Sequence, residues 1–281
     1  MSDHNVSNQP REYVLGTNRD ELVRLGLQHR LWADRAHAIW RRAGLGPGQA
    51  CLDVGCGPGY ASFDIAQMVG SQGRVLGVDE SDPFVEHVND QARARGLDNV
   101  EAFVGDVQKL GDLAAVRPGS FDAAYTRWVL CFVADPSAVV AGVADALKPG
   151  GRFAIQDYFN YRALTLAPKR EVFTTVIEAV ARAWNEAGGD IDVMGSMPRL
   201  LDEHGLDVVD LRVDQRLARP GESMWNWPST FWPNFLPVLE ERGLISGDTR
   251  RDFEQQWASA ARDPHTFIVL PPVFEIVAVK R

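Results

Sequence analysis

The stretch Cys51-Leu52-Asp53-Val54-Gly55-Cys56-Gly57-Pro58-Gly59-Tyr60 constrains this chain more than any other. An apolar run passes without a spacer into a turn with glycine at every second position, and a helix-like segment, Ala61 to Val69, follows. Glycine weakens the interior of strands and helices. It is used where φ must be positive or where a second group approaches the backbone closely. The stretch therefore reads as strand, tight turn and helix, a junction at which a small ligand can lie against bare backbone. The spacing is G-x-G-x-G. A dinucleotide fingerprint, G-x-G-x-x-G, would need glycine at Tyr60, and a phosphate loop would end in Gly-Lys-Ser/Thr. An ordinary strand-to-helix turn would use the same glycines without a ligand.

Alternation continues downstream. Arg74 to Val78 is an apolar strand closed by Asp79, and a helix is predicted from about Pro83 to Arg95. Val100 to Val104 ends at Gly105-Asp106, and Phe121 to Tyr125 is a fourth strand. A helix from Pro136 to Leu147 stops at Lys148-Pro149-Gly150-Gly151, and a fifth strand starts at Arg152 to Gln156. Apolar strands separated by amphipathic helices predict an α/β fold, a doubly wound and mostly parallel sheet covered on both faces. Before this core, a helix runs to Arg42 from a capping-box-like start at Thr17-Asn18-Arg19-Asp20. After Asp157 the pattern changes. Val172, Phe173, Val176, Ile177, Val180 and Trp184 mark another amphipathic helix, and Met197 to His204 a short one. Leu206 to Val213 and Phe267 to Val279 read as late strands enclosing roughly 50 residues rich in Trp and Pro, longer than a plain connection. The expected organisation is a disordered 1–12, a covering helix in 13–48, a core in 49–157, and a C-terminal half in 158–281. Substrate-side insertions fall at about 158–195 and 217–265.

Three carboxylates fall near successive strand ends: Asp53, Asp79 and Asp106. In an open parallel sheet, ligands sit at the carboxyl ends of the strands. A carboxylate ending the second strand can accept both hydroxyls of a ribose, and one after the third can reach an adenine amino group. A phosphate would be repelled by so many acids. Each Asp could equally cap the helix after it.

Charge agrees. The formal net charge is −9 with no basic stripe, which disfavours a nucleic-acid partner. The three cysteines form no C-x-x-C pair, so neither a disulfide framework nor a metal site is expected. No apolar run is long enough to span a membrane and the first dozen residues lack a signal-like segment, so a cytoplasmic protein is expected.

Taken together, Leu52 to Gly59, Val78-Asp79, Gly105-Asp106-Val107, Phe121-Asp122 and Leu147-Lys148-Pro149-Gly150-Gly151 resemble a class I S-adenosylmethionine-dependent methyltransferase. Within that superfamily the chain is similar to the small-molecule enzymes of the ubiquinone and menaquinone biosynthesis type. The resemblance covers residues 13 to 157. It implies a seven-stranded Rossmann-like sheet with helical and aromatic lid insertions, and S-adenosyl-L-methionine as cofactor. It further implies that Gly55 and Gly57 lie against the methionine and ribose, and that Asp53 supports the turn and the methionine amino group. Asp79 would bind the ribose hydroxyls. Asp106 would bind the adenine amino group, with the Val107 amide on the ring, and Thr126-Arg127-Trp128 would flank the methionine end. Tyr13 and Arg24-Leu25-Gly26-Leu27-Gln28 match a segment that closes over the cofactor in family members, where Arg24 would pair with the methionine carboxylate. The Asp/Asn-Pro-Pro-aromatic motif of enzymes that methylate nucleobase amines is absent after the fourth strand, where Arg127-Trp128 stands instead.

On the substrate side, Trp225, Trp227 and Trp232, interleaved with Pro228, Pro233 and Pro237, could line an apolar pocket or pin a long loop as a local aromatic core. The expected reaction moves a methyl group to an O, N or C atom of a small, partly apolar molecule. The alternative is a non-methylating reaction, such as a cyclisation or decarboxylation, on the same cofactor-binding fold. His29, His37, His265, Tyr161 and Asp157 are the candidate bases. They form no recognisable constellation, and none is assigned.

Overall fold

The computed structural model describes residues 19–281. Tyr13, the expected disordered 1–12 and the start of the capping box lie outside the described residues. Helix α1 (Arg19–Arg42) leads into β1 (Ala50–Val54), which turns into α2 (Tyr60–Val69). Then come β2 (Arg74–Asp79), α3 (Asp82–Arg95), β3 (Val100–Val104), β4 (Phe121–Arg127), α4 (Pro136–Ala146) and β5 (Leu147–Tyr158). These elements alternate because the central strands are apolar on both faces and each helix has one apolar stripe. Leu52 and Val54 of β1 enter one core while Cys51 enters the other. That division is the sign of a sheet buried on both sides. The helix starts are local: Ser81 and Asp135 accept hydrogen bonds from Phe84 N and Ala138 N, and Pro stands in the first turn of both α3 and α4.

The second half adds β6 (Thr165–Ala167), α5 (Glu171–Glu186), α6 (Met197–Glu203), β7 (Leu206–Asp214), β8 (Leu217–Ala218), α7 (Asn226–Glu241), α8 (Gly247–Ala260), β9 (Phe267–Val269) and β10 (Val273–Lys280). The main sheet has seven strands in the order β3-β2-β1-β4-β5-β10-β7, parallel except for β10, which is antiparallel to both of its neighbours. The order reverses between β1 and β4, so the crevice for a ligand opens above the glycine turn. Strands β6, β9 and β8 make a small separate antiparallel sheet.

Two boundaries differ from the sequence reading. Strand β5 begins at Leu147, not Arg152, because the segment expected only to stop a helix also pairs with β4 through Phe121 and Leu147. The strand expected over Phe267 to Val279 is two strands in two sheets. Pro271 and Pro272 carry no N–H for a ladder and break it between them. The Trp- and Pro-rich insertion is helical, as the lid insertions implied by the resemblance are. Pro233 and Pro237 lie inside α7, and its buried residues Trp227, Pro228, Trp232, Phe235, Leu236 and Leu239 follow a helical period. Burial of that face offsets the hydrogen bonds the prolines remove. No described helix is long and apolar enough to cross a membrane.

Candidate cofactor and substrate site

A cavity of about 250 Å³ lies over the carboxyl ends of β1, β2 and β4. One end is lined by Gly57, Asp79, Glu80, Asp106 and Val107, the middle by Asp53, His29 and Arg127, and the far end by aromatic side chains. The sequence candidates that meet in its wall are Arg24, Asp53, Gly55, Gly57, Asp79, Asp106, Val107, Arg127, Trp227 and Trp232.

The glycine turn separates into two functions. Gly55, Gly57 and Gly59 all have positive φ. A Cβ on Gly55 would sit 2.3 Å from Val129 Cγ2, whereas a Cβ on Gly57 would meet no described atom within 4 Å. Gly55 is therefore glycine because Val129 fills its place, and Gly57 presents bare backbone to the cavity. The Gly57 N–H donates to Asp79 Oδ2 at 2.7 Å, and Ser81 N–H donates to Asp79 Oδ1 at 3.0 Å. These bonds fix the carboxylate at the end of β2, and each oxygen keeps a lone pair for a ligand hydroxyl. Burial pushes the Asp79 pKa up, and the two backbone donors oppose that rise.

Asp106 is also a cap. Its Oδ1 accepts from Gln108 N at 2.9 Å and from Gln108 Nε2 at 3.0 Å, while Lys109 Nζ lies 3.8 Å from Oδ2. The capping and ligand readings of this Asp are thus compatible. Asp53 lies within β1 and is buried. Its Oδ2 accepts from Ser62 Oγ at 2.5 Å. Burial raises its pKa to about 6, against the lowering effects of Ser62 and Arg127.

Arg24 departs from its expected part. Its Nε and Nη2 donate to Glu21 at 2.7 and 2.6 Å, and its Nη1 donates to Gln28 at 3.1 Å. The buried pair holds the first turns of α1 together. Arg127, from the end of β4, is placed differently. Its Nη2 donates to His29 Nδ1 at 2.9 Å, while its buried Nη1 has no partner among the described residues. His29 Nε2 lies 3.0 Å and His37 Nε2 3.1 Å from the same oxygen of Asp64. An acceptor at Nδ1 places the His29 proton on Nε2, facing Asp64. Burial lowers the His29 pKa, Asp64 opposes this, and Arg127 adds to it. Asp64 carried no signal in the sequence, because its role depends on α1 crossing α2. Beside Arg127, Trp128 has φ +54°, rare for a bulky residue and concentrated at functional sites.

The aromatic end is contributed by Trp128, Phe132, Tyr158, Tyr161, Trp184, Trp227, Phe231 and Trp232. Trp227 Nε1 donates to Gln28 Oε1 at 2.9 Å, tying α7 to α1. Trp225 does not belong to the wall. Its ring stacks on Trp257 at 4.7 Å, so it serves the local aromatic core. Among the candidate bases, His29 is engaged at both nitrogens and His37 bonds Asp64. His265 is exposed. Asp157 accepts from Cys131 N and Tyr158 N, and burial raises its pKa to about 6. Tyr161 lines the cavity, and burial pushes its pKa up.

These residues fit S-adenosylmethionine on three observations. Bare backbone at Gly57 makes a cradle that a Cβ would fill. Two strand-end carboxylates suit the hydroxyls and amine of an adenosine. The unpartnered guanidinium nitrogen of Arg127 suits a carboxylate.

Comparison with known proteins agrees. The family described as "Methyltransferase domain" matches residues 45–205. The nocamycin O-methyltransferase of Saccharothrix syringae is 38% identical over 73% of this chain and 74% of its own length. The aklanonic acid methyltransferase DauC of a Streptomyces species is 37% identical over 38% of this chain and 47% of its own. Several further curated relatives are spanned over only 30–57% of their length. The crystal structure of the YcgJ protein of Bacillus subtilis superposes with a TM-score of 0.61 at 19% identity, covering 88% of this chain and 97% of that one. That likeness speaks to the fold alone. The chain belongs to the methyltransferase-domain family, the class I S-adenosylmethionine-dependent methyltransferases.

Proposed function

We propose that the protein transfers a methyl group from S-adenosylmethionine to an O, N or C atom of a small, partly apolar molecule. The observation that carries this reading is the continuity of one cavity, from Asp79 and Asp106 past Arg127 to the aromatic wall of α5 and α7. When bound, the cofactor supplies an electrophilic methyl group on a sulfonium. Asp79 holds the ribose hydroxyls, Asp106 and Val107 the adenine, and Arg127 the methionine carboxylate. Asp53, braced by Ser62, supports the turn beside the amino group. Trp227, Trp232 and their neighbours exclude water and orient the acceptor. Alignment of this kind can supply much of a displacement's rate.

No base is assigned. Tyr161 stays protonated at neutral pH, and the His29 nitrogens are already engaged. Residues 49–157 act as the cofactor-binding core in this reading, with the substrate side built from 158–195 and 217–265. A cytoplasmic location accords with three free, buried cysteines.

S-adenosylhomocysteine should raise the melting temperature of the wild type through preferential binding to the folded state. Asp79→Ala should abolish that shift, with Asp79→Asn as the variant that preserves the side chain's shape. Absence of a wild-type shift would refute the cofactor assignment. Turnover that yields an unmethylated product would replace methyl transfer with a cyclisation or decarboxylation.

A further inference from the structure

Arg24 and Arg127 both stand in the cavity wall, but they are held in opposite ways. Arg24 is paired directly with a carboxylate, Glu21, so its charge is met within α1. Arg127 is held by an imidazole. Its Nη2 donates to His29 Nδ1 at 2.9 Å, and its guanidinium carbon lies 4.9 Å from the centre of the Trp128 ring. The acid in this arrangement stands one residue further back. His29 Nε2 lies 3.0 Å from Oδ2 of Asp64 on α2, and His37 Nε2 lies 3.1 Å from the same oxygen. A chain of contacts thus runs from the partly exposed Asp64 through the buried His29 to Arg127, whose buried Nη1 has no partner among the described residues. The two helices are fixed against each other at this point. The His29 ring stacks on Tyr60 at 6.1 Å, Tyr60 Oη donates to Leu22 O at 2.8 Å, and a Cβ on Gly26 would meet the Tyr60 ring at 3.1 Å.

We propose that Asp64 is a positioning residue for the cofactor: by selecting the tautomer of His29 it fixes Arg127 for the methionine carboxylate. The assignment rests on the proposed pairing of Arg127 with that carboxylate. A guanidinium that must capture a ligand's carboxylate has to be held still without being neutralised. An acid placed directly on Arg127 would compete with the ligand. An imidazole in between does not compete, because it is uncharged and its Nδ1 lone pair accepts one N–H of the fork. It can accept there only with its proton on Nε2, and the partner at Nε2 selects that tautomer. Asp64 is that partner, since an ionised carboxylate only accepts. Burial pushes the Asp64 pKa up, but the bonds from His29 and His37 outweigh burial and lower it, so the carboxylate stays ionised at neutral pH. His37, about two turns further along α1, meets the same oxygen and holds the carboxylate in place.

Calorimetric binding to the full chain compares two ligands: S-adenosylhomocysteine, which carries the carboxylate, and methylthioadenosine, which lacks the amino-acid part. Asp64→Ala should weaken S-adenosylhomocysteine about tenfold and leave methylthioadenosine unchanged. Asp64→Asn, whose amide oxygen still accepts from His29 Nε2–H, should restore most of the affinity. Arg127→Met should weaken S-adenosylhomocysteine at least as much, and adding Asp64→Ala to it should have no further effect. Equal losses for the two ligands, or additive losses in the double variant, overturn the proposal: Asp64 would then only tie α1 to α2, and the cofactor reading would stand. A wild type that does not bind S-adenosylhomocysteine overturns both. Nitrogen NMR of ring-labelled histidine tests the same point without a substitution. His29 should carry its proton on Nε2, and a proton on Nδ1 overturns the proposal.

Discussion

The two functions assigned to the glycine turn can be separated by adding one methyl group at a time. Gly55→Ala imposes two costs. Its φ of +71° is left-handed, which costs an L residue ~1–2 kcal/mol. Its Cβ would lie 2.3 Å from Val129, an overpacking that typically costs ~1–3 kcal/mol. The sum, ~2–5 kcal/mol, corresponds to a fall in melting temperature of roughly 5–15 °C for a chain of this size. Gly57→Ala, at φ +52° and with open space around the new Cβ, carries only the conformational part, ~1–2 kcal/mol. Its methyl group enters the cavity, so the loss should appear in ligand binding.

The assay is thermal unfolding with and without S-adenosylhomocysteine. At a ligand concentration one hundred times its Kd, binding stabilises the wild type by ~2.7 kcal/mol. Gly57→Ala should lose most of that increment, whereas Gly55→Ala should start from a lower melting temperature and keep more of it. A double-mutant cycle completes the test. Val129→Ala should relieve the clash but not the backbone strain, giving a coupling of ~1–3 kcal/mol with Gly55→Ala. Coupling near zero, or equal melting temperatures for the two glycine variants, would refute the division of labour.

Two further outcomes follow from the site. His29 must be neutral to accept from Arg127, and its pKa is lowered in the folded protein, so folding stability should be flat above the ordinary histidine value of ~6.5 and fall as pH drops below it, whereas S-adenosylhomocysteine affinity should hold to lower pH and fall only below the lowered folded-state value. Calorimetric titration from pH 5 to 8 tests this: His29→Gln should weaken binding about tenfold, ~1.4 kcal/mol, and flatten the profile, and an unchanged profile would remove His29 from the account. Trp227→Phe cuts the bond to Gln28 and should raise the acceptor KM severalfold with less effect on kcat, whereas Trp225→Phe should lower stability by ~1 kcal/mol and leave KM alone. Equal KM effects from both would contradict the placement of Trp225 outside the cavity.

The alternating α/β order, the glycine turn and the placing of Asp53, Asp79 and Asp106 near strand ends were legible in the chain without its structure. Each is a local pattern: an apolar run, a glycine that must take positive φ, an acid at a strand end. Those rules act over a few residues and can be read without knowing what packs where. Which side chains converge came only from how the elements pack. Gly55 and Gly57 are indistinguishable in the sequence, and the difference between them is Val129, two residues past the end of β4. Arg24 and Arg127 are both basic residues near family motifs. Glu21, one turn away, occupies the first, while the second is braced by His29 of α1, itself held by Asp64 of α2. Trp225 and Trp227 stand two residues apart in one aromatic run, yet the helical turn between them sends one against Trp257 and the other into the cavity wall. A helix distributes neighbouring residues around its axis, and the packing of other elements determines which direction is a site.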